Sequence, residues 1–263
     1  MTAVPFTKAS ACGNDFLIID AARMPADPGD FTRRICDRHN GVGADGVEWV
    51  SPGENADLSI RLINADGSEA EISGNGTRCV AAYAVAGGSK EKLAIRTGAG
   101  IKRCELVSRS GNSFEFEMEM GTPQVSEPFM LKLASGSVKG TPVSMGNPHY
   151  VVFVEEFPAA WQEEAAQTQK QPCFREGVNV EFVRAIGRHE IDIRIFERGA
   201  GETQSSGTGS CASAVAAIAA GRAQSPVSVH ATGGTQVVGW SGPGTAVTLR
   251  GPAQLICRGE FFG

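Results

Sequence analysis

Along this chain the apolar positions change rhythm twice, in the same way each time. At 58–63 (LSIRLI) and again at 191–196 (IDIRIF), apolar and polar residues alternate with the period of a strand. Each segment gives way to a polar, glycine-rich stretch, NADGSEAEISGNG in the first case and ERGAGETQSSGTG in the second. An alanine-rich apolar run then follows, at 79–86 and at 211–220. Small and apolar on most sides, these runs suit buried helices. Strand, glycine-rich turn and buried helix are thus predicted twice. Two shorter helices are predicted, one at 31–38 that stops before Gly41 and one at 159–168 that follows Pro158. The segments GSVKGTPVSM and SGPGTAVTL read as strands and turns.

The two series keep one register. Asn147 follows Asn14 by 133 positions, each in a Gly-Asn pair. The same offset aligns VEWV at 47–50 with VEFV at 180–183, the two strands, and SGNG at 73–76 with SGTG at 206–209. Four matches in one register, without an insertion from Gly13 to about Ala84, mark a duplicated unit. The predicted fold is therefore α/β (α+β) with two pseudo-symmetric lobes, near 1–129 and 130–263. Each is expected to be a mostly antiparallel sheet wrapped around a central helix, and the final stretch to cross back and finish the first lobe.

Composition narrows the field. The net charge of −5, with no basic run interleaved with aromatics, gives no sign of a nucleic-acid partner. The segment MTAVPFTKAS has no apolar core with a cleavage site, and the longest apolar stretches are too short to span a bilayer. A cytoplasmic protein with no membrane partner is expected. The seven cysteines are scattered and include no C-x-x-C, so neither a disulfide framework nor a metal site is expected, and the thiols read as buried and reduced. A homodimer is compatible with the sequence.

The paired glycine-rich turns carry the candidate chemistry. A helix start presents unpaired backbone N–H groups with a partial positive charge, which bind anions. If the lobes face each other across a pseudo-twofold axis, the starts at 74–77 and 207–210 aim at one cleft and hold one carboxylate. That arrangement suits proton abstraction beside a carboxylate, because the carbanion spreads its charge onto oxygens that fixed N–H dipoles stabilise. Inverting a carbon by proton transfer also needs two acid–base groups, and Ser73 and Ser206 stand immediately before their helices. Either serine alone reads most simply as an N-cap; the matched pair favours the acid–base role. Competing motifs are weak. The formal G-x-G-x-x-G at 41–46 leads into a strand and not a helix, no phosphate-binding P-loop or H-E-x-x-H is present, and neither serine lies in G-x-S-x-G.

Taken together, GNDF at 13–16, GVGADG at 41–46, NADGSE at 64–69, SGNGTR at 73–78, GNPH at 146–149, VNVEF at 178–182, ERGAGET at 197–203 and SGTGS at 206–210 resemble the diaminopimelate epimerase family over nearly the whole chain. The resemblance implies epimerisation of LL- to meso-diaminopimelate by two-base proton transfer in lysine and peptidoglycan precursor synthesis, with no pyridoxal or other cofactor. The partner it implies is a small amino-acid substrate. It implies that Asn14, Asn64, Asn147, Asn179 and Arg198 hold the distal amino-acid end. Glu197 and His149 would line the reacting centre, with the reacting carboxylate on Gly74, Asn75, Gly207 and Thr208. Amides that both donate and accept, with a planar guanidinium, suit an ammonium–carboxylate end.

The chain departs from the family at one pair of positions: Ser73 and Ser206 stand where the family has its catalytic cysteines. A free thiol titrates near pKa ~8.5. If a serine hydroxyl lies about five units higher, the deficit is about 7 kcal/mol, against roughly 0.3–2 kcal/mol from a helix dipole. Cys79 and Cys211 lie inside the helices and are expected to face the core. Several readings fit: serines introduced to trap a dead complex, serines activated by Glu197 or His149, a chain that binds diaminopimelate-like amino acids without turnover, or a related isomerase of another carboxylate.

Overall fold

The computed structural model describes residues 3–263. Its chain divides into two compact units, one running up to Met118 and rejoined by Gly251–Gly263, the other Glu119–Arg250.

The first unit begins with a hairpin. Strand Val4–Ala11 turns antiparallel into Asn14–Asp20, with Ala11 opposite Asn14. The two-residue turn needs positive φ at both positions, which Cys12 (φ 51) and Gly13 (φ 78) adopt. From there the pairing runs parallel to Gly46–Pro52, antiparallel to Leu58–Asn64, parallel to Lys92–Thr97, then antiparallel through Gly100–Ser110 to Ser113–Gly121. Ser113–Gly121 also pairs with the long strand Val247–Phe261, whose later residues return to Val4–Ala11. Eight strands thus form a closed circuit with no free edge.

Helix α1 spans Pro28–Cys36 and buries Phe31, Thr32, Ile35 and Cys36. It begins three residues before the sequence-based expectation because Asp27 caps the amide of Asp30 and Pro28 fits the first helical position. It ends two residues early because the Asp37 carboxylate accepts from the amides of His39 and Asn40 and forms a turn. Helix α2, Gly74–Ala86, packs against Val4–Ala11, Asn14–Asp20, Gly46–Pro52 and Lys92–Thr97 and is the centre of the unit. Residues 75–82 are all buried. Its small side chains let the surrounding strands approach, while Val80, with no exposure, contributes about 1.5–3 kcal/mol by its burial.

The second unit repeats this plan. Strands Phe129–Leu133, Gly136–Ser144 and Pro148–Phe153 pair antiparallel in turn; Asn179–Gly187 joins in parallel, and Glu190–Glu197 follows antiparallel. Val227–Ala231 then pairs in parallel, and Gly234–Gly239 links it to the beginning of Val247–Phe261. Helix α3, Trp161–Gln169, starts two residues later than expected; Ala160 gives it no side-chain cap, and Trp161 packs edge-on against Phe182 and Phe196. Helix α4, Gly207–Ala219, packs against six strands of its unit. Register confirms the duplication residue by residue. Leu17 lies beside Val47 and Val47 beside Ile63; Tyr150 lies beside Val180 and Val180 beside Phe196. The offset of 133 holds through the ends of α2 and α4. One extra residue enters before the next strand, so Leu58 pairs with Ile95 but Ile191 with Val229.

Cys79 and Cys211 are fully buried, as expected from their helix positions. The expectation of buried thiols fails at Cys173 and Cys257, which are exposed. Among the described residues, no helix is long and apolar enough to cross a membrane.

Candidate active site

Each central helix begins in the same way. Ser73 and Ser206 hold extended backbone, with φ −123° and −140°, and cap α2 and α4. The Ser73 oxygen accepts from the Gly76 amide at 3.1 Å, and the Ser206 oxygen accepts from the Gly209 amide at 3.2 Å. This uses the third amide of each helix; no helix offers its first amides an internal acceptor. Gly74 and Asn75 in one unit, and Gly207 and Thr208 in the other, occupy those first positions.

An asparagine side chain meets each start at matching places. In the first unit Asn75 Nδ2 donates to Asn14 Oδ1 at 3.5 Å; in the second Asn147 Nδ2 donates to Thr208 Oγ1 at 3.3 Å. The hairpin that carries Asn14 is tied down by charge. Asn14 donates to Asp45, Arg38 bonds both Asp15 and Asp45, and Lys8 reaches Asp15 at 2.9 Å and the Gly43 carbonyl at 2.6 Å. Burial acts to raise the Asp15 carboxyl, but hydrogen bonds from Arg38 and Lys8 outweigh it and hold the group below the usual range. The Ala65 amide donates to the Asp45 carbonyl, which places Asn64 next to the same network; the Asn64 side chain donates to Ser68 Oγ at 3.1 Å.

The second unit gathers the rest. His149 is buried, with Nδ1 2.7 Å from Glu181 Oε1 and Nε2 3.0 Å from Asn147 Oδ1. Asn179 sits opposite His149 in the parallel pair and ties the start of the His149 strand to the turn after Glu190–Glu197, donating to the Pro148 carbonyl and accepting from the Arg198 amide at 2.9 Å. The exposed Arg198 guanidinium donates to the Glu176 carbonyl at 2.7 Å through one of its five N–H groups. Burial raises the Glu181 carboxyl, the His149 charge and hydrogen bond act against it, and Glu197, at the end of its strand, adds a smaller upward push.

Sequence reasoning passed over two members of these clusters. Glu48 and Glu181, equivalent under the 133-residue offset, are both fully buried. The signal that could have found them was present: the same acid recurs at the same place among the apolar residues of VEWV at 47–50 and VEFV at 180–183. Cys79 offers no thiolate in place of Ser73, because burial pushes its thiol well up.

Comparison with known proteins gives the family. A family model described as diaminopimelate epimerase matches residues 6–126 and 141–256. A diaminopimelate epimerase from Moorella thermoacetica is 38% identical over 97% of this chain and 98% of its own length. One from Azoarcus sp. is 40% identical over 98% of each. Among solved structures, a phenazine biosynthesis protein from Bacillus anthracis matches with a TM-score of 0.74 at 17% identity, over 100% of both chains. A probable proline racemase from Agrobacterium radiobacter gives 0.74 at 17% identity, over 97% of this chain and 92% of the other. At such identity these two structures show a shared fold and nothing finer.

Proposed function

The chain belongs to the diaminopimelate epimerase family, and we infer from this premise that its two capped helix starts carry out the proton transfer. The protein is an amino-acid epimerase that interconverts LL- and meso-diaminopimelate. In our reading each unit supplies one acid–base position, Ser73 or Ser206, and one set of helix-start amides, at Gly74 and Asn75 or Gly207 and Thr208. Those amides take the carboxylate next to the reacting carbon. As the α-proton leaves, charge moves into that carboxylate, where the fixed dipoles hold it more strongly than in the ground state.

Asn14, Asn64, Asn147, Asn179 and Arg198 would hold the distal ammonium and carboxylate, with the guanidinium gripping the carboxylate in two places. His149 and Glu197 would act on the Ser206 side as groups that bias its proton. The substrate is then a small amino acid, and the setting cytoplasmic. The repeated start carries this reading: serine cap, third-position glycine amide and asparagine contact recur at one offset in both units.

Exchange of the α-hydrogen of LL- and meso-diaminopimelate in deuterium oxide tests it. Ser73→Ala and Ser206→Ala should each abolish exchange by about 100-fold or more, and Ser73→Cys with Ser206→Cys should raise it by orders of magnitude. Exchange that survives both alanine variants would refute the assignment. Calorimetric binding of meso-diaminopimelate with no exchange in the unmodified chain would make it a binder without turnover.

A further inference from the structure

The reading above leaves Glu48 and Glu181 without a role. Among the described residues, both oxygens of Glu48 lack a hydrogen-bond partner, and Glu181 has one on Oε1, from His149, and none on Oε2. Buried carboxyls are ordinarily bonded at both oxygens, so a matched pair of exceptions in one fold calls for a reason.

Their surroundings supply it. A methyl group added to Gly76 would overlap Glu48 Oε1 and come within 3.3 Å of Ser73 Cβ. One added to Gly209 would come within 2.9 Å of Glu181 Oε1, 3.1 Å of Ser206 Cβ and 3.3 Å of Ser206 Oγ. Glutamate and serine therefore crowd one face of the same glycine in each unit, and only glycine leaves them room. Each serine oxygen accepts from one amide and donates its own hydrogen to no described group.

We propose that Glu48 and Glu181 are positioning residues that carry the protons of Ser73 and Ser206 during turnover. The proposal rests on the serine assignment above. On the abstracting side the serine hydroxyl turns toward the neighbouring glutamate; the Cα–H bond breaks and its proton joins the serine oxygen, while the hydroxyl's own proton passes to the carboxylate. The electron pair stays on the carbon and spreads into the substrate carboxylate. On the donating side a protonated glutamate returns its proton to the serine oxygen as the hydroxyl proton forms the new Cα–H bond. Neither serine becomes a free alkoxide, so the large deficit of a serine against a thiol is bypassed, as in nucleophiles paired with a base. One carboxyl starts ionised and the other protonated, and they end exchanged.

The two environments fit opposite starting states. The position equivalent to His149 is Phe16, which has no base to offer Glu48, and burial pushes the Glu48 carboxyl up to about 8. Burial also raises Glu181, but the His149 charge and hydrogen bond act to bring it down.

Glu48→Gln, Ser73→Cys and the double variant decide the matter, with calorimetric binding of meso-diaminopimelate as the check on folding. Glu48→Gln should lower α-hydrogen exchange by about 100-fold or more and leave the dissociation constant within about threefold. The double variant should regain the exchange of Ser73→Cys alone, since a thiol ionises without help. A double variant as inactive as Glu48→Gln, with binding intact, would show a purely structural acid and overturn the proposal. Glu181→Gln with Ser206→Cys is read in the same way. If Ser73→Ala loses exchange while Glu48→Gln does not, this proposal falls and the serine assignment stands; if Ser73→Ala and Ser206→Ala both keep exchange, the two fall together.

Discussion

Glutamine at position 48 should stabilise the protein by an amount that grows with pH. Glu48 is fully buried, neither of its carboxyl oxygens is bonded among the described residues, and burial moves it from the ordinary 4.5 to about 8. Below 4.5 the folded and unfolded chains both hold the proton, and the acid costs the fold nothing through titration. Above that point the unfolded chain releases its proton while the folded chain keeps it. Stability then falls by about 1.4 kcal/mol per pH unit. The fall levels off once the folded group ionises, near pH 8, at a total of about 5 kcal/mol. Glutamine does not titrate. Urea unfolding of the wild type and Glu48→Gln from about pH 5 to 9 should therefore give a stability difference that widens steadily and flattens above about 8. A difference that stays constant across this range would refute the reasoning, because the carboxyl would then be solvated or paired in solution.

Three further outcomes follow from the packing and the site. Gly209→Ala must displace Glu181 or Ser206 and should cost about 1–3 kcal/mol in urea unfolding, whereas Gly187→Ala, whose nearest neighbour is 3.5 Å away, should change stability by less than about 0.5 kcal/mol. Ala214→Leu places a large side chain on a fully buried face of α4 and should cost about 1–3 kcal/mol, visible as a lowered thermal midpoint. Arg198→Ala should weaken calorimetric binding of diaminopimelate by about 10- to 100-fold with little change in stability, because the side chain is exposed; Arg198→Lys should recover only part of the loss.

The duplication was legible because it lay in what sequence displays best: alternation in the strands around Ile60 and Ile193, small residues in α2 and α4, and glycines at the turns. The serine caps were legible for the same reason, since a serine before an alanine-rich run has a known local role. Glu48 and Glu181 were not. Strand Gly46–Pro52 is buried along residues 46–50, and a strand covered on both faces has no alternation to show which way a side chain points. The Lys8–Asp15–Arg38–Asp45 network was hidden for another reason. Its members lie on three separate segments, and only the folded hairpin and the loop after α1 bring them together. The ends of α1 were misplaced because Asp27 and Asp37 act through side-chain hydrogen bonds, which the apolar pattern does not record.

The strand Val247–Phe261 has a consequence for how the molecule is made. Synthesis from the N-terminus ordinarily lets the earlier unit fold first. Here the earlier unit lacks a wall until residues 251–261 leave the ribosome, since Val4–Ala11 has its second neighbour only then. The later unit, by contrast, is one unbroken segment. The later unit can therefore complete its sheet before the earlier one, whose first hairpin stays open along one edge until residues 251–261 pair with it.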